Sequence, residues 1–170
     1  MLKFESDDFA VWAIPGRTHK SKEELLRIIA ELGREKATSI QLIDSKKIFG
    51  RDHLRAAFEK TVRSFRSERN VSDSPVTEMM LYLSGCRQIQ EALDAIGLKE
   101  QSKSLILLSD REPGDISKLL SLEEDESVLS PEGKDVRSLG ISDIEISTVR
   151  EKDAPDLVLE RVASVDVRKK

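Results

Sequence analysis

Apolar residues recur along this chain with two spacings, one typical of buried strands and one typical of helices. Short apolar runs that stop at turn-forming residues predict strands, and these runs cover residues 9–14, 39–43, 78–83 and 104–108. The first run stops at Pro15-Gly16, which predicts the end of its strand there. Residues 46–49 are expected to extend the pairing of the second strand.

Helical spacing is clearest over residues 51–69, where one apolar stripe is predicted to face the core and the other faces are mostly basic. Ser21 and Glu24 form a capping-box pattern that predicts the start of an earlier helix, which Gly33 ends. Residues 141–146 alternate like a strand, yet Ser142 and Glu145 have the spacing of a capped helix, and the helix is favoured. Further helices are predicted over 89–96, over 115–120, from Ser130-Pro131 and from Asp153-Ala154-Pro155.

The length of 170 residues suits one domain, which we place at residues 1–167 with 168–170 as a frayed tail. The start of the chain is polar and acidic, and no apolar run approaches the roughly 20 residues of a membrane span. With a single cysteine the chain forms no internal disulfide. We therefore expect a cytoplasmic protein without a membrane partner.

Charge is unevenly distributed along the sequence. The net charge is −4, but residues 1–109 carry 18 Lys/Arg against 16 Asp/Glu, a net of +2, whereas residues 110–170 carry 10 against 16, a net of −6. A protein of this kind that binds RNA needs a local basic patch, and the first part of the chain is where to expect it.

The run at residues 80–89 is the most informative motif in the chain. Its first half predicts a buried strand, and Ser84-Gly85 then predicts a turn that passes into a helix. A helix N-terminus leaves backbone N–H groups free to hold an anion, and Arg87 and Gln88 add side-chain donors. The alternative is a plain structural junction, because Ser and Gly are common caps in α/β proteins.

Catalytic, metal and cofactor sites are not predicted. The glycines form neither a dinucleotide-binding nor a P-loop pattern, and one cysteine with two histidines does not make a standard zinc site. His53, at the start of the long basic helix, is expected to be a surface or capping residue. Cys86 carries the one enzymatic alternative, since a thiol beside Arg87 in the first turn of a helix is a candidate reactive group.

The motif Ser84-Gly85-Cys86-Arg87-Gln88-Ile89 resembles the Ser-Gly-x-Arg-Gln-Ile signature of the small accessory subunit of the KEOPS complex, the TPRKB-like family. Segments in the same order resemble that family from about residue 40 to 167, and archaeal members are the closer match in length and in this run. The resemblance implies a two-layer α/β (α+β) fold with a mixed sheet of about four strands and helices packed on it.

The resemblance also implies a function. Members of this family are non-catalytic subunits of a complex that attaches a threonylcarbamoyl group to tRNA adenosine. They bind the kinase-like subunit, contact the rest of KEOPS indirectly and help to capture tRNA through its single-stranded 3′ CCA end. The alternative is a pure protein–protein adaptor that regulates the kinase-like subunit without contacting RNA.

Two sets of candidate binding residues follow. The tRNA set combines the central motif, where Arg87 takes a phosphate and Gln88 a base edge, with basic side chains that steer the acceptor stem. This set is Ser84, Gly85, Arg87, Gln88, Lys60, Arg63 and Arg66. The partner set consists of apolar residues on the last helix, Leu157, Leu159 and Val162. For both sets the alternative is structural: a solvated basic face, and a helix buried on several sides.

Overall fold

A computed structural model describes residues 1–36 and 38–167, so the predicted frayed tail at 168–170 lies outside the described residues. A five-stranded sheet runs through the molecule in the order β1-β2-β4-β3, and β5 pairs with β2. The strand pairings among the described residues are all antiparallel, where the resemblance implies a mixed sheet. The strands are β1 (Leu2–Glu5), β2 (Ala10–Arg17), β3 (Ile40–Asp44), β4 (Ser104–Ser109) and β5 (Glu123–Glu124).

Helices cover both faces of this sheet. They are α1 (Lys22–Lys36), α2 (Arg51–Arg66), α3 (Pro75–Ser84), α4 (Ile89–Ile96), α5 (Ile116–Leu119), α6 (Asp143–Ser147) and α7 (Asp156–Ser164). One core joins the sheet to α1 and α5, and the other joins it to α2, α3, α4 and α7. The α/β fold class with helices packed on the sheet is confirmed. The resemblance implies two layers, whereas the structure has a layer of helices on each face of the sheet.

The central strand β4 shows why a continuous apolar run marks a strand here. Leu105 and Leu107 belong to the α1 core, whereas Ile106 and Leu108 belong to the core of α2, α3 and α7. Because successive side chains point to opposite faces, a strand covered on both faces needs apolar residues at every position. The predicted strand at 104–108 is therefore confirmed.

The predicted strand at 78–83 is wrong, because these residues lie inside helix α3. Ser74 caps this helix by accepting a hydrogen bond from Thr77 N at 3.3 Å, and Pro75 occupies the first turn. Residues 76–84 are all buried, so the helix is enclosed on every side and shows no polar stripe. An enclosed helix and an enclosed strand have the same apolar pattern, which is why the sequence misleads here.

Strand β2 continues through Pro15 and Gly16, so the predicted stop at these residues is also wrong. The Pro15 carbonyl accepts a hydrogen bond from Asp125 N at 3.0 Å on the β5 side. In an extended residue the backbone N and C=O point to the same side of the strand. The N of Pro15 therefore faces β5, away from β4, and the missing N–H removes no hydrogen bond between β2 and β4. At Gly16 a Cβ atom would lie 2.4 Å from the Glu123 carbonyl oxygen, so glycine permits the close approach of β5.

Other local predictions divide between confirmed and wrong. The two capping boxes are present, at Ser21 with Glu24 and at Ser142 with Glu145, and the helix favoured at 141–146 is α6. Residues 45–47 form a 3-10 turn instead of extending β3, because the Asp44 side chain accepts from Lys46 N at 2.9 Å. No helix starts at Ser130-Pro131; the chain turns there and reaches a 3-10 turn at Val136–Leu139.

Candidate functional site

The Ser84-Gly85 turn ends helix α3 and does not open a helix. Gly85 has φ of +71°, its N–H donates to Tyr82 O, and Cys86 N donates to Leu81 O, both at 3.1 Å. This pair of bonds is a Schellman motif, which uses N–H groups of the turn to satisfy the last carbonyls of the helix. The predicted strand-turn-helix geometry is therefore wrong, and these two N–H groups are not free for an anion.

The remaining motif residues differ in their exposure. Ser84 is buried, and its hydroxyl donates to Leu81 O at 2.9 Å. Helix α4 begins five residues later at Ile89, with Gln88 exposed at its N-cap and making no capping bond through its side chain. Cys86 is half-buried and packs against the core. Gln88 is therefore the motif residue best placed to contact a ligand.

Arg87 points into the protein. Its Nη1 lies 3.6 Å from Glu78 Oε1 and 4.0 Å from Asp166 Oδ1, and its Nη2 donates to Arg69 O at 3.3 Å. The guanidinium also lies over the Tyr82 ring, 5.9 Å from the centroid. Only 17% of the side chain is exposed, and Nη1 has no hydrogen-bond partner among the described residues.

Glu78 is the buried carboxylate in this arrangement, with no exposed surface. Its Oε1 accepts from Ser64 Oγ at 3.1 Å, and its Oε2 accepts from Val71 N at 2.8 Å and Ser72 N at 3.1 Å. A buried charge needs such partners, because burial removes its hydration. Arg87 and Glu78 together hold α2, α3 and the loop between them in one position.

Asp166 connects the end of the chain to the same place. Tyr82 donates its hydroxyl proton to Asp166 Oδ1 at 2.7 Å, and Lys60 Nζ lies 3.5 Å from Oδ2. Burial and the neighbouring Asp166 carboxylate raise the pKa of Tyr82 to about 12. We call Lys60, Tyr82, Arg87 and Asp166 the Asp166 cluster; it joins α2, α3, the central motif and the residues that follow α7.

A small groove lies beside this cluster, where α7 crosses α2. The cavity in it has a volume of about 100 Å³ and is lined by Lys60 and Arg63 from α2 and by Leu159 and Val162 from α7. We call it the α2–α7 groove. It brings together residues that the sequence assigned to two different partners, tRNA and protein.

Burial separates the three predicted docking residues. Leu157 is 7% exposed and Val162 is 1% exposed, so both belong to the core, while Leu159 is partly exposed. The structural alternative holds for the first two: α7 is packed against α2 and α3, which explains its wide apolar surface. Leu159 and Val162 both line the groove, and Leu159 is the one of the two whose side chain is partly exposed.

The predicted basic residues of α2 also differ from one another. Lys60 donates to Ala163 O at 3.1 Å besides approaching Asp166, and Arg66 is paired with Asp7 at 3.3 Å and Asp8 at 2.9 Å. Arg63 is exposed and forms no ion pair within residues 1–36 and 38–167. It is the predicted cation that a phosphate reaches without competition.

His53 is fully buried instead of lying at the surface. Its Nδ1 accepts from Phe49 N and its Nε2 lies within hydrogen-bond distance of Leu83 O, each at 3.2 Å. These partners require a neutral ring that donates through Nε2, and burial lowers the pKa of His53 to about 4. The ring joins the start of α2 to the last turn of α3, just before the central motif.

Three further features of the described residues bear on function: possible metal ligands, another groove and the length of the helices. Three or more His, Cys, Asp or Glu side chains do not gather into a metal-binding group in the described part of the chain. Another groove, of about 780 Å³, is lined by residues 131–137 and side chains from 146 to 155 and contains none of the predicted site residues. None of the described helices has the length and apolar content needed to cross a membrane.

Comparison with known proteins gives one result. Residues 19–163 match the model of a family described as kinase binding protein CGI-121. No curated protein matches the chain.

Proposed function

Because the chain belongs to the CGI-121 family of kinase binding proteins, we propose that it is a non-catalytic, cytoplasmic subunit of the KEOPS complex. In this role it docks the kinase-like subunit and captures tRNA by the 3′ CCA end during threonylcarbamoyladenosine synthesis. The observation that carries the proposal is the extent of the match, which reaches from just before α1 into α7. The archaeal type stays a prediction.

The α2–α7 groove supports docking of the kinase-like subunit. Leu159 offers a partly exposed apolar side chain, and Lys60 and Arg63 stand beside it. Protein interfaces commonly combine an apolar centre with a polar rim, so this groove has the composition of a small docking point.

A charge placed in the groove tests this assignment. Leu159→Glu is expected to weaken binding of the kinase-like subunit at least tenfold, because the carboxylate loses its hydration on docking. Leu26→Glu is the matched control, since Leu26 is 44% exposed on α1, which packs on the opposite face of the sheet. Equal binding by both folded variants would exclude the groove as the docking point.

Two exposed polar side chains support capture of tRNA. Arg63 is a cation without an internal partner among the described residues, and Gln88 extends from the N-cap of α4. Phosphate contacts give salt-dependent affinity, whereas unstacked bases at an RNA end are recognised through their edges.

These two roles predict different binding profiles. Arg63→Ala is expected to weaken binding of intact tRNA several-fold. It is also expected to reduce the slope of the logarithm of the binding constant against the logarithm of salt concentration by about one. Arg27→Ala is the control, because it removes the same charge from an exposed position on α1. Gln88→Ala is expected to weaken binding of intact tRNA but not of tRNA that lacks its CCA end. If wild-type protein binds both RNAs equally, or neither, capture by the CCA end is excluded.

One observation favours the alternative, a protein adaptor without RNA contact. Lys60, Arg66 and Arg87 are each paired with carboxylates of the chain itself. Retained binding of the kinase-like subunit, together with no binding of tRNA at low salt, would select this alternative.

A further inference from the structure

Asp166 lies between cations that come from two separate parts of the proposed RNA-binding surface. Lys60 belongs to the basic helix α2, and Arg87 belongs to the central motif. Both approach the same carboxylate, at 3.5 Å and 4.0 Å. An acidic side chain therefore occupies the point where these two cations converge.

The donors around this carboxylate are those that proteins use for phosphate. They are an ammonium from Lys60, a guanidinium from Arg87 and the hydroxyl of Tyr82, all within reach of two oxygens. We propose that Asp166 is an internal substitute for an RNA phosphate, which occupies Lys60 and Arg87 until RNA displaces it. This inference rests on the proposed capture of tRNA and specifies how that site is regulated.

The contact of Arg87 is suited to exchange. Its Nη1 lies too far from both carboxylates for a hydrogen bond and has no other partner among the described residues. A buried donor without an acceptor is unfavourable, so a phosphate oxygen at normal distance gains a bond that the free protein lacks.

The position of Asp166 allows it to leave. The residue follows the last turn of α7, and its side chain is 31% exposed. Val165, just before it, is fully buried and anchors the helix. Rotation of the chain after Val165 therefore releases the carboxylate to water while α7 stays packed, and it breaks the 2.7 Å hydrogen bond from the Tyr82 hydroxyl.

The same contact links the two proposed partners. Lys60 lines the α2–α7 groove and also approaches Asp166. A protein that docks beside Leu159 and repositions Lys60 changes the balance between Asp166 and RNA. The size of this effect is limited by how much more tightly the partner binds the protein with Asp166 displaced than the protein with Asp166 in place.

Asp166→Asn tests the proposal, because the amide oxygen still accepts from Tyr82 while the charge is lost. The affinity for intact tRNA is expected to rise about fivefold, because RNA no longer displaces a charged carboxylate from Lys60 and Arg87. Glu160→Gln is the matched control, since Glu160 is exposed on α7 and has no ion pair in the described part of the chain. It is expected to change affinity less than twofold.

A second background makes the test specific. In protein carrying Lys60→Met, the gain from Asp166→Asn is expected to fall to about twofold, because one of the two released cations is absent and Arg87 remains. An equal effect of Asp166→Asn and Glu160→Gln, or a gain that keeps its full fivefold size in the Lys60→Met protein, overturns the proposal. Asp166→Ser, which keeps a hydroxyl acceptor, repeats the test if the asparagine variant does not fold.

The result also separates this inference from the proposed function. If wild-type protein binds tRNA and Asp166→Asn binds it no more tightly, the inference fails and tRNA capture stands. If neither protein binds tRNA, both fail.

Discussion

The buried imidazole of His53 makes a defined contribution to acid sensitivity. In the unfolded chain a histidine titrates near pH 6.5, whereas in the folded protein burial lowers the pKa of His53 to about 4. Between these values the unfolded chain binds more protons, so stability is fully present above about pH 6.5 and falls as the pH drops to about 4. A shift of this size corresponds to about 3 kcal/mol in total, of which about 2 kcal/mol is lost by pH 5.

His53→Gln isolates this contribution. A glutamine amide offers an acceptor for Phe49 N–H and a donor for Leu83 O, but it does not titrate. Urea unfolding at pH 7, 6 and 5, followed by circular dichroism, gives the free energy of unfolding of both proteins. Between pH 7 and pH 5 the wild-type protein is expected to lose about 2 kcal/mol more than the variant.

Other titrating groups are common to both proteins and cancel in this difference, provided that both unfold in one step with equal denaturant dependence. Parallel loss of stability by the two proteins would refute the reasoning, since it would mean that His53 takes up its proton without unfolding. A shift in the opposite direction would mean that the folded protein stabilises the charged ring.

Three further outcomes are expected. Arg87→Ala is expected to lower the free energy of unfolding by about 3 kcal/mol, measured in urea, because Glu78 stays buried without its cation; Arg87→Lys should recover part of this loss. Gly85→Ala is expected to lower it by about 1–2 kcal/mol, measured by thermal melting, because of its positive φ. Tyr82 is the only tyrosine, so tyrosinate absorbance reports its pKa, which is expected to fall from about 12 in Asp166→Asn as the neighbouring negative charge is lost.

Gly133→Ala is a matched control for Gly85→Ala. Gly133 has φ of +72° with nothing within 4 Å of an added Cβ, whereas at Gly85 the Cβ would lie 2.7 Å from Arg161 Cγ. Gly85→Ala should therefore destabilise the protein more than Gly133→Ala, and equal losses would show that the side chain of Arg161 moves freely. An unchanged Tyr82 pKa in Asp166→Asn would show that the Asp166 charge does not act on Tyr82. An Arg87→Ala protein as stable as wild type would show that Arg87 does not stabilise the buried Glu78.

The sequence predicts correctly the helix starts that depend only on residues close together in the chain. The capping residues of α1 and α6 act within three positions, so the sequence contains the whole of each motif. Helix α3 differs from the predicted strand although Ser74 and Pro75 supply a cap and a first-turn proline, because a helix buried on every side has the apolar run of a buried strand. Strand β1 is not predicted because four residues are too few for their alternation to form a clear pattern.

The candidate site was harder to predict than the fold. The sequence indicates the basic helix, but the direction of Arg87 depends on Glu78 and on Asp166, and Asp166 lies 84 positions from Tyr82. No periodicity encodes a contact over that separation. The burial of Leu157 and Val162 likewise depends on where α7 packs, which the pattern along one helix leaves open.

The position of β4 in the sheet has a consequence for how the protein folds during synthesis. β4 separates β2 from β3, so these two earlier strands have no direct pairing with each other. Until residues 104–109 leave the ribosome, β2 and β3 each lack a neighbour, and apolar positions on both strands are exposed to solvent or to chaperones. We therefore expect the nascent chain to be protease-sensitive up to that point and to become resistant once β4 inserts between its two partners.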